Sequence, residues 1–232
     1  MAVVLISGFM ADETLWDDVA PSLEAFGPVI PLALREGDTI EAMAEALLPA
    51  LPAHFHLAGF SMGGYVAREI VRLIPGRVES LMLIATSARG DSEEMIRQRR
   101  SALRSPPERF KGLSRPAIQS SLHPDLRDDA DMLARVREMG VRLGGHVFHR
   151  QSLIARDGDL DRLSDMTVPT LIISADNDLL RSEAEQIELE SGIAAARRVT
   201  ITGSGHMIPL EQPESLALAI KNWLLTPKTT SA

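Results

Sequence analysis

The sequence contains no cysteine. Disulfides, thiolate metal sites and a cysteine nucleophile are therefore excluded, and the cytoplasm, where thiols stay reduced, is the compartment such a sequence fits. No apolar run reaches the ~18 residues a membrane helix needs. Residues 1–8 offer a short apolar stretch without the basic segment of a secretory signal, so no membrane partner is expected. Positive charge is also in deficit. The 24 Lys and Arg stand against 32 Asp and Glu, for a net charge of -8. That excludes the broad positive surface of non-specific nucleic-acid binding. What remains is globular in character: 232 residues, 45% of them hydrophobic, enough for one compact domain with at most a modest insertion.

Apolar periodicity divides the chain. Residues 3–6 are a short β-branched run ending in Ser7-Gly8, which reads as a strand buried on both faces. A helix is predicted over 14–26, stopped by Gly27-Pro28, then a weak strand over 29–32 and a helix over 39–51. Residues 55–60 read as a strand running into Ser61, 63–74 as a helix and 78–86 as a long strand. The rhythm then breaks: residues 88–156 are polar, Arg-rich and helical in character, with no clear strand. It resumes with a strand over 168–174, a helix over 182–190, a strand over 198–202 and a helix over 213–225, followed by a frayed end at 226–232. Alternation of this kind implies an α/β fold, a doubly wound and mostly parallel sheet with helices on both faces. The segment 88–156 is expected to be an inserted helical cap over the carboxyl end of the sheet, and 1–87 with 157–232 the core domain.

One motif carries chemistry. Gly59-Phe60-Ser61-Met62-Gly63, followed by Gly64, is a G-x-S-x-G sequence placed between an expected strand and an expected helix. A serine on so sharp a turn has strained backbone, and its neighbours two before and two after must lack a Cβ. Its hydroxyl then projects into the cleft, and the helix behind it presents its N-terminus to developing negative charge. The competing reading is a glycine-rich turn that serves packing alone. A serine hydroxyl needs a base. His206, in Gly203-Ser204-Gly205-His206, follows the last strand and faces the same sheet end as Ser61. His54 and His56 read as surface or packing residues, and His123, His146 and His149 fall in the insertion. The base needs a carboxylate to orient it. Asp176 and Asp178 both follow the strand ending near Ser174, and a turn or capping role competes for each. The chain order Ser, Asp, His is that of hydrolases built on this fold. Met62 supplies the oxyanion N–H that follows the nucleophile.

With these segments in place the sequence resembles the α/β-hydrolase superfamily, in its serine-nucleophile branch of small esterases, enol-lactonases and carbon–carbon bond hydrolases. The resemblance covers nearly everything outside 88–156. It rests on Gly59 to Gly64, on Ala175 to Asp178 and on Gly203 to Pro213. It implies a catalytic triad of Ser61, Asp178 and His206, with Asp176 as the alternative acid and Ala175 where the family usually has glycine. It implies Phe9 as the second oxyanion N–H donor. Ser7 replaces the family's usual histidine beside Gly8, so the bracing of that loop has to be different. The chain starts at once with the equivalent of the family's third strand, which implies a shortened sheet of about six strands. No metal or organic cofactor is implied. The expected function is cleavage of a carboxylic ester, lactone or thioester of a small molecule through an acyl-enzyme. Carbon–carbon bond hydrolysis, cofactor-free perhydrolysis and a ligand receptor retaining the triad are the alternatives. Nothing in the sequence sets an oligomeric state.

The insertion holds 14 Lys and Arg against 9 Asp and Glu. A positive cap on a negative body is able to steer an anionic substrate; the competing reading is that its arginines solvate outer helix faces. Its apolar residues, Met95, Leu113, Ile118 and Met139 among them, have either a core or a pocket to fill.

Overall fold

The computed structural model describes residues 1–101, 103, 105–194 and 196–226. The end expected over 226–232 lies, beyond Thr226, outside them. Six strands, β1 (Ala2–Ile6), β2 (Val29–Leu32), β3 (Phe55–Phe60), β4 (Val78–Ile84), β5 (Thr170–Ala175) and β6 (Ala196–Ile201), form one sheet in the order β2-β1-β3-β4-β5-β6. Every pairing is parallel, so the expected mostly parallel sheet is wholly parallel. The order reverses direction between β1 and β3, and this switch point opens a crevice at the carboxyl ends of those two strands.

The strands carry apolar residues on both faces because both are covered. In β1, Val3 and Leu5 join the core on one face of the sheet, while Val4 and Ile6 join the core on the other. Each of these side chains is fully buried and contributes about 2 kcal/mol of hydrophobic stabilisation. Helices α1 (Ile40–Leu47), α2 (Met62–Leu73) and α7 (Glu183–Gly192) supply one side, and α9 (Pro213–Leu225) the other. Local signals set their ends: the Thr39 hydroxyl caps α1, and a Ser182–Glu185 capping box starts α7.

The helix expected over 14–26 is instead two 3₁₀ segments, Glu13–Trp16 and Ala20–Phe26. Asp12 caps the first, and Pro21 falls in the first turn of the second, where its missing N–H is harmless but would have broken a continuous helix. The strand expected over 78–86 ends at Ile84 because Ala85 turns to φ 46°. A short helix α8 (Ile208–Glu211), absent from the sequence reading, follows the His206 loop.

Between β4 and β5 the described residues form helices and no strand: α3 (Glu93–Ser101), α4 (Arg115–Gln119), α5 (Ala130–Leu143) and α6 (Gly145–Leu153). This segment does not build a wholly separate core. Ile118, Leu122, Leu133, Val136 and Met139 pack into the same cluster as Phe60, Ile84 and Ile208 of the sheet side. Its two ends are stitched together. Asp159 N–H donates to the Ala88 carbonyl and Asp91 N–H to the Arg156 carbonyl, both at 2.8 Å. The Asp91 carboxylate, 2% exposed, takes guanidinium N–H from both Arg99 and Arg156 at 2.5 Å.

Candidate active site

Ser61 stands between β3 and α2 with φ 52° and ψ -115°. For a residue with a Cβ this backbone is strained, and the surroundings hold it there. Ser61 N–H donates to the Ile84 carbonyl at 2.8 Å, and Thr86 Oγ1 donates to the Ser61 carbonyl at 2.7 Å. The glycines around it behave as the turn demands. A methyl on Gly63 would stand 2.6 Å from the Ser7 carbonyl oxygen; one on Gly59 would collide with the Gly63 backbone and one on Gly64 with Thr86. Each glycine thus lets a neighbouring chain segment approach closely, and together they force the serine outward.

His206 reaches this position from the loop after β6. Its Nε2 lies 2.9 Å from Ser61 Oγ and its Nδ1 lies 2.8 Å from Asp178 Oδ2. An ionised carboxylate only accepts, so Nδ1 carries the proton and Nε2 is left to accept from the serine hydroxyl. The imidazole packs against the Phe60 ring, centroids 5.2 Å apart. The side chains of His206 and Asp178 are only 6% and 3% exposed.

The two aspartates after β5 have separate duties. Asp178 points one oxygen at His206 and the other at the N–H groups of Leu180 and Arg181, at 2.8 and 3.0 Å. Those two bonds fix the carboxylate plane. Asp176 turns the other way and accepts from Gly203 N–H and Ser204 N–H, at 3.1 and 3.3 Å, tying the histidine-bearing loop to β5. Burial pushes the Asp176 carboxyl up, but these donors outweigh it and hold it below the ordinary carboxylate range.

Glu211 in α8 was not singled out in the sequence, although it lies within the Gly203 to Pro213 segment that carries the resemblance. Its carboxylate accepts from Gly205 N–H at 2.6 Å, Ser204 Oγ at 2.9 Å and His123 N–H at 2.6 Å. Burial raises its pKa despite these donors. The segment after α4 grips the same loop: the Ser121 carbonyl accepts from His206 N–H at 2.9 Å and Met207 N–H at 3.2 Å. These contacts join residues far apart in sequence, which is why no local pattern revealed Ser121.

The loop after β1 faces Ser61 closely; a methyl on Gly8 would stand 3.0 Å from Ser61 Cβ. Among the described residues no acceptor engages the main-chain N–H of Phe9 or Met62, and both residues line the cavity at Ser61. Ser7, in place of the family's histidine, braces this loop with its hydroxyl, which donates to the Asp12 carbonyl at 2.9 Å and accepts from Trp16 Nε1 at 3.0 Å. The helical segment adds two ties. Gln151 Oε1 accepts from Met10 N–H at 2.9 Å, and Arg142 Nε donates to the Asp12 carboxylate at 2.5 Å.

Above Ser61 lies a cavity of about 290 Å³. Phe60, Met62 and Met207 line it from the sheet side, and Met95, Leu113 and Met139 from the helical segment. Ile118, which the sequence left between core and pocket, belongs with Leu122 to the core. The remaining histidines stay away from Ser61 in their bonding: His54 meets Glu79, His56 meets Ser80 Oγ, His123 and His146 approach Asp125 and Glu108, and His149 meets the Ser105 carbonyl. Among the described residues no group of three or more His, Asp or Glu is placed to hold a metal ion, and no helix is long and apolar enough to cross a membrane.

A serine on a strained strand-to-helix turn, with a histidine and an aspartate delivered from later strand ends of a parallel sheet, defines the α/β-hydrolase class of proteins. The sequence model of the alpha/beta hydrolase family matches residues 3–219, and the chain belongs to that family. A pimeloyl-[acyl-carrier protein] methyl ester esterase of Aromatoleum aromaticum is 37% identical over 92 residues, 37% of either chain. The dihydrolipoyllysine-residue acetyltransferase component of the acetoin cleaving system of Pseudomonas putida is 28% identical over 92% of this chain. These matches span 37% and 60% of the relatives' own lengths. Among solved structures, a malate-bound thermophilic esterase from Thermogutta terrifontis superposes with a TM-score of 0.84 at 28% identity, over 97% of this chain and 89% of that one.

Proposed function

We propose that the chain is a serine hydrolase cleaving a carboxylic ester of a small molecule through an acyl-enzyme. The observation that carries this reading is the unbroken line from Ser61 Oγ through His206 to Asp178, with links of 2.9 and 2.8 Å. Ser61 is the nucleophile. Its Oγ bonds to the ester carbonyl carbon, its proton passes to His206 Nε2, and the carbonyl electron pair moves to oxygen. Asp178 stabilises the imidazolium, and the free N–H groups of Phe9 and Met62 hold the oxyanion. Collapse expels the alcohol, which takes the proton from Nε2. Water then repeats the sequence from the other side, releasing the acid and restoring Ser61. Each step conserves charge without an added cofactor. The names of the esterase relatives point the same way.

In this reading residues 88–156 act as a helical cap on a core of 1–87 and 157–232, closing the cavity over Ser61 and excluding water during acyl transfer. The cysteine-free sequence supports a cytoplasmic site of action.

The test is hydrolysis of p-nitrophenyl esters from acetate to octanoate by the wild type and Ser61→Ala side by side. The expected loss in the variant is at least about 10⁴-fold in kcat, and the chain-length profile sizes the acyl pocket. Equal rates in the two proteins, together with no labelling of Ser61 by a fluorophosphonate, would remove the serine-hydrolase assignment.

A further inference from the structure

The charges around the cavity are one-sided in a chain whose balance is acidic. Three guanidiniums, Arg99, Arg156 and Arg181, line the cavity at Ser61, and among the described residues no carboxylate does. A second chamber of about 560 Å³ adjoins it, sharing Phe9, Gln98, Arg99, Leu113 and Ala117. This chamber adds Arg109 and Lys111 and, among the described residues, again no carboxylate. Among the described residues the two spaces are thus lined by cations and no anion, with Arg99 lining both.

The pairing of these cations is incomplete. Arg99 and Arg156 share one buried carboxylate, Asp91, so two positive charges stand against one negative charge. Arg181 is 8% exposed, and its nearest carboxylate, that of Glu185, is 3.7 Å away. Glu185 is itself committed to capping α7, accepting from Ser182 N–H at 2.6 Å and Ser182 Oγ at 2.9 Å. The carboxylate of Asp178 gives Arg181 no side-chain partner, because its oxygens serve His206 and two main-chain N–H groups. Arg181 Nη1 donates to the Leu180 carbonyl at 2.9 Å. Its Nε, and that of Arg99, are buried without a hydrogen-bond partner among the described residues. The unmatched positive charge of the guanidiniums that line the cavity favours an anion there, held by charge-assisted bonds.

Resting on the ester-hydrolase reading above, we propose that the substrate is a half-ester, whose ester carbonyl meets Ser61 while a second, free carboxylate is held by the guanidiniums of Arg181 and Arg99. The apolar lining of the same cavity, with Met95, Leu113 and Met139, takes the linking carbon chain. The carboxylate selects the substrate and takes no part in bond breaking. Arg181 is then a specificity-determining residue, distinct from the positive outer surface that would act only by steering. Many arginines of the helical segment are ordinary surface partners: Arg97 pairs with Glu93 and Glu94, Arg115 with Asp128 and Arg135 with Asp18.

The experiment compares kcat/KM for monomethyl glutarate, adipate and suberate with that for methyl butyrate, hexanoate and octanoate, in wild type, Arg181→Met and Arg181→Lys, with Ser61→Ala as background. The wild type is expected to prefer the half-ester of at least one chain length by about tenfold or more. Arg181→Met should lower that ratio to near one, a fall of about tenfold, and Arg181→Lys, which keeps the charge and loses the planar fork, should lower it by less. A second readout is independent of turnover: free glutarate, adipate or suberate should raise the Tm of Ser61→Ala, and the rise should vanish when Arg181→Met is added. Ser61-dependent turnover of neutral esters with no preference for any half-ester overturns the half-ester proposal and leaves the hydrolase reading standing. A ratio that Arg181→Met does not move, or a Tm shift that survives it, also overturns the proposal. Loss of turnover on every ester with the Tm shift intact in Arg181-bearing protein sinks the hydrolase reading while keeping the carboxylate site.

Discussion

The sheet body and the helical segment between β4 and β5 are built by different rules, and the site depends on both. The body is apolar on both faces of its strands, its element ends are marked by glycine, proline and capping residues, and it delivers Ser61, Asp178 and His206 from three strand ends. The helical segment is polar and arginine-rich and contributes none of those three. It nevertheless holds the parts that the body leaves loose. The Ser121 carbonyl binds the His206 loop, and Gln151 and Arg142 bind the loop of Phe9. Its apolar residues enter a core of the body rather than forming a wholly independent one. Such a segment is better understood as the second half of the site than as a detachable lid. The body carries Ser61, Asp178 and His206, and the segment holds the loops beside them.

This division can be broken at its strongest point within the body. Asp178→Asn should lower kcat on a p-nitrophenyl ester by about 10³ to 10⁴-fold, because an amide no longer fixes the tautomer and charge of His206. Asp176→Asn removes the same charge two residues away. It should change kcat by less than about tenfold while lowering unfolding stability by about 1–2 kcal/mol through the lost bonds to Gly203 and Ser204. Parallel kcat measurements and urea titrations decide it; the reverse pattern would exchange the two roles.

The next effect falls on the junction. Asp91→Asn leaves Arg99 and Arg156 buried without their shared carboxylate and should lower stability by about 3 kcal/mol. Burial raises the Asp91 carboxyl, but N–H donation from Arg99 and Arg156 outweighs it and holds the pKa well below the ordinary carboxylate range. The ionised form is therefore favoured by the fold. Its stabilisation is fully present above pH ~4, the ordinary carboxylate value, and is lost as pH falls through the lowered folded value. Urea midpoints between pH 2 and 7 should show a steeper acid limb in the wild type than in Asp91→Asn. Equal limbs would mean that the junction does not depend on this charge.

The smallest effect sharpens the comparison from the helical side. Gln151→Ala removes two buried hydrogen bonds, one from the Met10 N–H and one to the Leu34 carbonyl, a loss of about 1–3 kcal/mol. If the segment braces the oxyanion loop, kcat should fall about tenfold along with a Tm lowered by about 2–10 °C. A lowered Tm with unchanged kcat would make Gln151 a packing residue.

Much of the body could be read from the sequence because the signals there are local. The strand at Phe55–Phe60 and the helix at Pro213–Leu225 lie where periodicity placed them, since a two-sided apolar run and a proline-started amphipathic run each have few other solutions. The segment over 14–26 misled because its apolar spacing is helical while Pro21 and the Asp12 cap favour two short turns. The choice between Asp176 and Asp178 was open to local reading: both follow β5, and a two-residue offset decides direction only once the loop is folded.

By itself, the sequence determined the strained serine turn, the serine–aspartate–histidine order and the parallel sheet that carries them. Those follow from the space a Cβ occupies and from which residues must leave water. The tertiary structure decided which aspartate meets His206, how Ser7 replaces a missing histidine as a brace, and which arginines remain without a full counter-charge beside Ser61. Each of those depends on contacts between residues distant along the chain, and such contacts are set by how the elements pack.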